Sequence, residues 1–199
     1  MSTFPDNPKK IKERINRYER ELRREYQTHD FIRDGYGKRY LLGPLYLTLG
    51  DLSGALASFQ WFEQMFPDDI GDPLHYLCWT LTLYRSGDTA AAVLKLRQTM
   101  FSNLYLIPHL LGLAQEKLDI YYGSNLDEQD YLQYVPPEIW ALWDELALQW
   151  AGETYGSPEF QRLRARCIEI HEQLKDEPPG PRRSKLVDEA FALRTLTEA

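Results

Sequence analysis

The chain has 199 residues, a formal net charge of −7 and hydrophobic side chains at 43% of its positions. A chain of this length can bury on the order of 70% of its unfolded surface, so it needs neither a disulfide nor a metal ion to fold. The negative net charge argues against a nucleic-acid-binding surface over the whole molecule, although it leaves room for a local basic patch.

The first predicted element is a highly charged helix from about Pro8 to Gln27. Its apolar residues recur at steps of three and four, which predicts one narrow apolar stripe on an amphipathic helix. The stripe consists of Ile11, Ile15, Tyr18, Leu22 and Tyr26. We interpret residues 1–33 as a charged N-terminal segment whose helix packs this stripe on the elements that follow. The alternative is a basic arm for an acidic partner or a phosphate backbone.

The next segment, between Arg39 and Pro67, contains the most specific pattern of the chain. A Leu-Gly pair, a tyrosine, an alanine, a phenylalanine and a proline follow at fixed spacing: Leu42, Gly43, Tyr46, Ala55, Phe59 and Pro67. This spacing resembles the tetratricopeptide repeat (TPR), with Arg39 at the position of the family's tryptophan. The resemblance implies two helices joined at Gly50 and Asp51, in which Gly43 lets the helices approach closely.

A second helical hairpin is predicted after a turn at residues 67–73. Its own turn, Gly87-Asp88, follows the turn of the first hairpin by 37 residues, close to the 34-residue period of the family. Ala92 and Leu96 match the alanine and the phenylalanine of the pattern, but the Leu-Gly pair and the tyrosine have no counterpart. The resemblance therefore covers half of the pattern here.

Irregular stretches and short helices are predicted next. Residues 103–112 predict a turn that leads into a short apolar helix. The acidic, aromatic stretch 119–134 predicts a loop packed by its own rings. A further helix is predicted from Pro136 to about Trp150, with Ile139, Leu142, Trp143, Leu146 and Trp150 on its inner side.

Ser157 and Pro158 predict a helix start, because a capping serine is followed by proline at the first helical position. This helix extends to about Lys175 and forms a capping hairpin with the one before it. The proline-rich stretch 176–183 is a stiff linker, and Ser184 caps a last helix. The predicted domains are thus a charged N-terminal helix (1–33), a TPR-like repeat domain with its capping hairpin (34–175), and a linker with a C-terminal helix (176–199).

The predicted fold is all-α, with stacked antiparallel helical hairpins that form a TPR-like α-solenoid closed by capping helices. Residues 1–8 are polar and the chain has no run of about 18 apolar residues, so we expect neither an export signal nor a membrane span. Cys78 and Cys167 lie in apolar helical patterns. That placement favours free thiols in a reducing cytoplasm.

Catalytic chemistry finds little support in the sequence. It contains no serine-nucleophile motif, no phosphate-binding loop and no dinucleotide-binding motif. We therefore expect neither an enzyme activity nor a cofactor. A zinc site is the alternative, because His75 and Cys78 lie three residues apart and Cys167 and His171 lie four apart. These four residues would provide a Cys2His2 set if the fold brought them together.

TPR-like hairpins present a concave surface on the first helix of each hairpin. By register with the family, five residues would bind a partner there: Tyr40, Leu47, Leu77, Tyr84 and Arg85. This face is almost entirely apolar, so the resemblance does not extend to the basic clamp with which some family members bind acidic chain ends. An apolar face must be covered by another element of the chain, such as the N-terminal or the last helix, or by an apolar peptide or a second subunit.

The sequence thus predicts a non-catalytic adaptor that binds a segment of another protein in an apolar concave groove. Three alternatives stay open. The chain is a self-associating module whose C-terminal helix crosses to a second copy, a zinc-binding protein built on the four residues above, or an RNA-contacting helical repeat.

Overall fold

The computed structural model describes residues 4–5 and 7–195 of the chain, and all regular structure in these residues is helical. The described fold is therefore all-α, as predicted. Its α-helices are α1 (Pro8–His29), α2 (Lys38–Thr48), α3 (Leu52–Met65), α4 (Pro73–Arg85), α5 (Thr89–Ser102), α6 (Leu106–Leu110), α7 (Pro137–Trp140), α8 (Glu145–Tyr155), α9 (Pro158–Asp176) and α10 (Pro181–Thr195), with a 3-10 helix at Gln129–Tyr134. None of the described helices has both the length and the apolar character needed to cross a lipid bilayer.

The described residues divide into two compact units. The first unit comprises residues up to Ala92 together with Val135–Trp143, and the second comprises Val93–Tyr134 and the residues from Asp144 on. The boundary predicted after residue 33 falls inside the first unit, and the boundary predicted after residue 175 falls inside the second. The chain passes from the first unit to the second within α5.

Helix α1 begins at the predicted residue and extends two residues further than predicted. The side chain of Asn7 caps it by accepting a hydrogen bond from the Lys9 N–H at 2.8 Å. The helix packs on α2, and most of its predicted apolar stripe is buried. The buried stripe residues are Ile11, Ile15 and Leu22. Tyr26, at the end of the stripe, is exposed.

Helices α2 and α3 pack on each other, as expected for the first hairpin. The turn between them contains Gly50, whose φ of 80° lies in the left-handed region that favours glycine. Asp51 then caps α3, because its carboxylate accepts a hydrogen bond from the Gly54 N–H at 2.8 Å. A Cβ atom added to Gly43 would lie 2.4 Å from the ring of Phe59. The close approach predicted at Gly43 is therefore confirmed.

A hydrogen bond joins α4 to a backbone carbonyl of α2 that has lost its helical donor to a proline. Pro44 has no N–H, so the Tyr40 carbonyl lacks its usual helical donor four residues later. The Nδ1 atom of the buried His75 lies 3.1 Å from this carbonyl oxygen. Because a carbonyl oxygen can only accept a hydrogen bond, Nδ1 carries the proton. His75 thus has a structural role in the first unit.

The prediction of a single helix from Pro136 to about Trp150 is wrong. The chain forms two helices there, α7 and α8, separated by four residues. The Asp144 carboxylate accepts a hydrogen bond from the Ala147 N–H at 3.0 Å and so caps a new helix. Since the helical register restarts at this cap, the predicted inward residue Leu146 is 70% exposed.

Helices α9 and α10 pack on each other in the second unit. The predicted start of α9 is confirmed, because the Ser157 hydroxyl accepts a hydrogen bond from the Phe160 N–H at 3.3 Å, with Pro158 at the first helical position. The buried side of α9 belongs to a core shared with α5, α6 and α10. That core includes Met100, Ile107, Phe160, Cys167, Ile170, Leu186 and Leu193.

The last helix starts earlier than predicted. It begins at Pro181, so Ser184 lies inside the first turn and is not its cap. The Ser184 N–H donates a hydrogen bond to the Gly180 carbonyl at 3.0 Å. Arg166 of α9 donates two hydrogen bonds to the Glu189 carboxylate of α10, at 2.6 and 2.7 Å. These contacts hold the C-terminal helix on α9 of the same chain.

Between α6 and α7 the chain is irregular apart from the 3-10 helix, which agrees with the predicted loop. The Tyr105 and Tyr122 hydroxyl oxygens lie 2.6 Å apart. The Asn103 side-chain amide donates to the Leu126 and Glu128 carbonyls at 2.7 and 3.0 Å. Hydrogen bonds therefore stabilise this loop, in addition to the packing of its aromatic rings.

Candidate functional site

The structure places the five predicted partner-binding residues on α2 and α4 of the first unit. Leu47 and Leu77 are buried, with 2% and 0% of their surface exposed. Tyr40 and Tyr84 are half-buried, and Arg85 is exposed. Since the two leucines lie inside the protein, a partner could reach them only after part of the first unit had moved away.

A segment of the same chain, Val135–Trp143, lies against this part of the first unit. Its helix α7 packs on α2, and its Ile139 side chain is buried. The Arg85 Nη2 atom donates a hydrogen bond to the Leu142 carbonyl at 2.6 Å. We expected this face to be covered by another element of the chain, such as the N-terminal or the last helix, or by an apolar peptide or a second subunit. The segment that pairs with Arg85 is instead Val135–Trp143.

Tyr40 belongs to a charged network at the start of α2. Its hydroxyl donates to the Asp69 carboxylate at 2.7 Å and accepts a hydrogen bond from Arg39 at 2.7 Å. Arg39 also pairs with Asp69 at 2.9 Å, and its guanidinium lies over the rings of Tyr40 and Phe66. Arg39 thus joins α2 to the turn that follows α3.

The protonation states of this network follow from burial and hydrogen bonding. Burial raises the pKa of Tyr40 far above its ordinary value, and the hydrogen bond to Asp69 raises it further. Burial alone would raise the pKa of Asp69. The hydrogen bonds that its carboxylate accepts from the Gly71 N–H, Tyr40 and Arg39 outweigh this effect, so the pKa is lowered. At neutral pH the phenol is therefore protonated and the carboxylate is ionised.

A cleft in the first unit lies between α1 on one side and α2 and α3 on the other, and we call it the α1–α3 cleft. Its volume is about 400 Å³. Most of its lining is apolar and comes from Leu22, Tyr26, Ile32, Leu42, Trp61 and Met65. Two small residues of α3, Gly54 and Ala57, also line it. A Cβ atom added to Gly54 would lie 2.5 Å from the Tyr46 ring, so Tyr46 fills the space beside Gly54.

One hydrogen bond between two residues that line the cleft joins α1 to α2. The Tyr46 hydroxyl donates to the Glu19 carboxylate at 2.6 Å. Burial raises the pKa of Tyr46, and the hydrogen bond to Glu19 raises it further, so the phenol keeps its proton at neutral pH. The Glu19 carboxylate therefore already accepts a hydrogen bond from within the protein.

The Ser58 side chain lines the same cleft and is only 9% exposed. Its hydroxyl has no hydrogen-bond partner among the described residues. Other helical hydroxyl groups of the first unit donate to the carbonyl four residues earlier, as Thr48 does to Pro44 and Thr82 does to Cys78, at 2.8 and 2.9 Å. A buried polar group left without a partner costs about 1 to 3 kcal/mol.

The α1 side of the cleft carries one carboxylate and one guanidinium, because Glu19 and Arg23 both line it. Arg23 lines the cleft and is exposed, and it forms no ion pair within the part of the chain that the structure describes. Glu21 pairs with Lys38 at 3.2 Å, and Glu19 is bonded to Tyr46. With Glu19 and Arg23 as its charged residues, the lining of the cleft has no net charge.

The four residues considered for zinc have other roles. Within the described chain, no three His, Cys, Asp or Glu side chains lie close enough together to hold a metal ion. The Nδ1 atoms of His75 and His171 lie 3.1 and 2.9 Å from backbone carbonyl oxygens. Burial raises the pKa of the Cys78 thiol, and it raises that of Cys167 to about 11. Both thiols are therefore protonated at neutral pH and are poor nucleophiles.

Sequence reasoning missed the α1–α3 cleft, because it treated the apolar stripe of the first helix as fully packed. A signal for the cleft does exist. Gly54, Ala57 and Ser58 recur at steps of three and four, which places a row of small side chains on one face of α3. A helix face made of small residues leaves space unless a large residue on the neighbouring helix fills it.

Comparison of the chain with protein-family models, with curated proteins and with solved structures finds no match.

Proposed function

We propose that this chain is a non-catalytic adaptor that binds a segment of another protein in the α1–α3 cleft. The observation that carries the proposal is a mostly apolar cavity of about 400 Å³ lined by α1, α2 and α3. This volume falls within the roughly 300–1,000 Å³ that ligand pockets occupy. The proposal moves the binding site away from the face of α2 and α4, since Leu47 and Leu77 are buried there.

The lining of the cleft suits a protein segment. Aliphatic and aromatic side chains from two helices, such as Leu22 and Trp61, form its walls, and few polar groups converge on it. Grooves between helices bind the apolar anchor side chains of peptides in this way, and a small number of deeply inserted anchors supplies most of the affinity.

We also infer that the first hairpin is TPR-like. The inference is supported by the approach of Gly43 to Phe59, the burial of Ala55, and Pro67 just after the end of α3. Helix α1 packs on α2 as a neighbouring helix does in a stack of hairpins.

Self-association through the C-terminal helix receives less support. Helix α10 packs on α9 of the same chain, and its Leu186 and Leu193 are buried in the second unit. A helix whose apolar side is already covered gains little by crossing to a second copy.

Replacing Ala57 with tryptophan is expected to weaken the binding of a peptide in the cleft at least about tenfold, equivalent to roughly 1.4 kcal/mol. Ala57 lines the cleft and is itself exposed, so the indole would fill the cavity without entering the buried core. Peptides would first be selected on the purified wild-type chain from a random-sequence library. Their dissociation constants would then be measured by fluorescence anisotropy on wild type and variant.

Gln60→Trp is the matched control, because Gln60 is exposed on the same helix but does not line the cleft. This variant should bind the selected peptides as the wild type does. Circular dichroism would verify that both variants keep their helical content. Unchanged affinity in Ala57→Trp, or an equal loss in both variants, would contradict the proposed site.

A further inference from the structure

We propose that the exposed side of helix α1 binds the phosphate backbone of a double-stranded nucleic acid without recognising its base sequence. This inference goes beyond the proposed function and does not rest on it, because the surface lies outside the α1–α3 cleft. Two features of α1 carry the proposal. The fold separates the acidic from the basic side chains of this helix, and the exposed basic side chains form a long row.

The fold turns most carboxylates of α1 towards the protein and its basic side chains towards solvent. The helix contains eight lysine and arginine residues and four glutamates. Seven of the eight basic residues are exposed, whereas three of the four glutamates are partly buried. Each of these three has a partner in the first unit: Glu19 accepts a hydrogen bond from Tyr46 at 2.6 Å, Glu21 pairs with Lys38 at 3.2 Å, and Glu25 accepts a hydrogen bond from the Arg33 N–H at 3.1 Å. Glu13 is the exposed carboxylate of α1.

Five of the exposed basic residues form a row along α1, which we call the basic face: Lys9, Lys10, Arg17, Arg20 and Arg24. They share one side of the helix, because residues three or four positions apart are neighbours on a helix surface. Glu13 lies in the same row, so basic side chains outnumber carboxylates on this face. None of the five lines the cleft. Arg24 shares a surface pocket with three carboxylates, so the row is most basic between Lys9 and Arg20.

The lysines at the start of α1 do not stabilise the helix itself. Lys9 and Lys10 lie in its first turn, which contains no acidic residue. The N-terminal end of a helix has a partial positive charge, so cations are unfavourable there and anions are favourable. A phosphate group beside these lysines would interact favourably with their charge and with the helix dipole at once.

The density of charge distinguishes a nucleic acid from an acidic peptide. From Lys9 to Arg20 the row is about 16 Å long, at 1.5 Å per residue. A duplex has one phosphate charge per about 1.7 Å of its axis, so on the order of ten charges lie along that length. An extended peptide rises about 3.3 Å per residue and directs every second side chain to one side, so it offers about two or three carboxylates there. The basic face therefore fits a duplex better than a peptide.

A membrane surface also fits the basic face less well. An amphipathic helix binds a bilayer by burying its apolar side at the interface, in addition to its attraction to anionic lipids. The apolar stripe of α1 is instead buried in the first unit, where Ile11, Ile15 and Leu22 have 4%, 2% and 2% of their surface exposed. Most of the apolar side of α1 is therefore not available to a lipid.

Binding of a fluorescently labelled DNA duplex to the full chain tests this inference. Fluorescence anisotropy would measure the dissociation constant of a duplex of two helical turns, roughly 20 base pairs, between about 50 and 200 mM salt. The wild type should bind duplexes of unrelated sequence equally. The logarithm of its association constant should fall with the logarithm of the salt concentration, with a slope of about −3 to −4 for about four phosphate contacts.

The double variant Lys9→Gln/Arg20→Gln removes two charges from the basic face. Neither residue forms an ion pair within the part of the chain that the structure describes, and glutamine is about as favourable in a helix as lysine and arginine are. The salt slope should become less steep by about two, and the affinity at the lowest salt concentration should fall at least about tenfold. Circular dichroism would verify that the helical content is kept.

Arg162→Gln/Lys185→Gln is the matched control, because it removes one arginine and one lysine from exposed positions of the second unit. This variant should bind the duplex as the wild type does. Equal losses in the two double variants would overturn the proposal, since the net charge and not the basic face would then govern binding. Absence of duplex binding at the lowest salt concentration would overturn it as well.

Two further probes test the choice of partner. A single strand of the same length should bind more weakly than the duplex, because its charge density is lower. Tighter binding of the single strand, or binding of anionic phospholipid vesicles without binding of the duplex, would show that the proposed partner is wrong. Ala57→Trp fills the cleft and leaves the basic face unchanged, so it should bind the duplex normally. The inference and the proposed function can therefore fail independently.

Discussion

Replacing Phe59 with alanine is expected to lower the free energy of unfolding by about 3 to 5 kcal/mol, the range for a large aromatic side chain removed from a core. Phe59 has 0% of its surface exposed. Its ring stacks on Trp79 with centroids 5.3 Å apart and meets His75 edge-on at 4.9 Å. The truncation would therefore leave a cavity where α2, α3 and α4 meet. Urea unfolding followed by circular dichroism would measure the change.

Substitutions at Phe59 and Gly43 should have non-additive effects on stability, because the Phe59 ring packs against Gly43. A Cβ atom at Gly43 would lie 2.4 Å from the Phe59 ring, so Gly43→Ala alone should cost about 1 to 3 kcal/mol through overpacking. In the Phe59→Ala background the new methyl group has room, and its cost should largely disappear. Gly35→Ala is the control, because a Cβ there meets nothing within 4 Å. Strictly additive effects of the two substitutions would contradict the close approach at Gly43.

Replacing Asp69 with asparagine is expected to cost about 1.5 to 3 kcal/mol, the range for hydrogen bonds to a charged group. The Asp69 carboxylate accepts hydrogen bonds from Tyr40 and from the Gly71 N–H and pairs with Arg39, and these contacts join α2 to the turn after α3. An amide keeps the shape of the side chain but loses the charge and one acceptor. Asp68→Asn makes the same change at the exposed neighbouring residue and should alter stability by less than about 0.5 kcal/mol.

The cost of Asp69→Asn should also depend on pH. Because the pKa of Asp69 lies below its ordinary value in the folded protein, the ionised carboxylate stabilises the fold above the unfolded pKa of about 3.9. That stabilisation is lost as the pH falls through the lower, folded pKa. The difference in unfolding free energy between wild type and variant should thus be constant near neutral pH and shrink below about pH 4. A difference that stays constant down to pH 2 would show that Asp69 is not held as an anion.

The local structure of the first hairpin could be predicted from the sequence because its determinants are near in sequence. Asp51 caps the helix that it precedes, and Gly50 adopts the backbone conformation that glycine favours. The contact of Gly43 with Phe59 follows from the TPR spacing once the two helices are paired. Ser157 and Pro158 predicted the start of α9 for the same local reason.

Elements that depend on distant contacts could not be predicted in this way. Asp144 lies inside an apolar periodic pattern, and the sequence did not show that it would end one helix and cap another. The position of Val135–Trp143 depends on distant parts of the chain, because Arg85 lies 57 positions before Leu142 and α2 lies earlier still. Hydrophobic periodicity indicates which face of a helix is buried, but it does not identify the element that buries it.

The α1–α3 cleft illustrates the same distinction. The stripe of α1 predicted that Leu22 would be buried, and it is. The small residues that leave the cleft open, Ala57 and Ser58, belong to a different helix. Whether a row of small residues leaves a cavity depends on which large side chains lie opposite them, and that arrangement exists only in the folded chain.

The most direct test of the proposed binding site is to locate a bound peptide on the folded chain. Isotope-labelled full-length protein would be titrated with one of the peptides selected on the wild-type chain, and backbone amide chemical shifts would be followed by NMR. The proposal predicts that the largest shift changes occur at Leu22, Arg23, Ala57, Ser58 and Trp61, which line the cleft. Shift changes concentrated at Val135–Trp143 or in the second unit would contradict it.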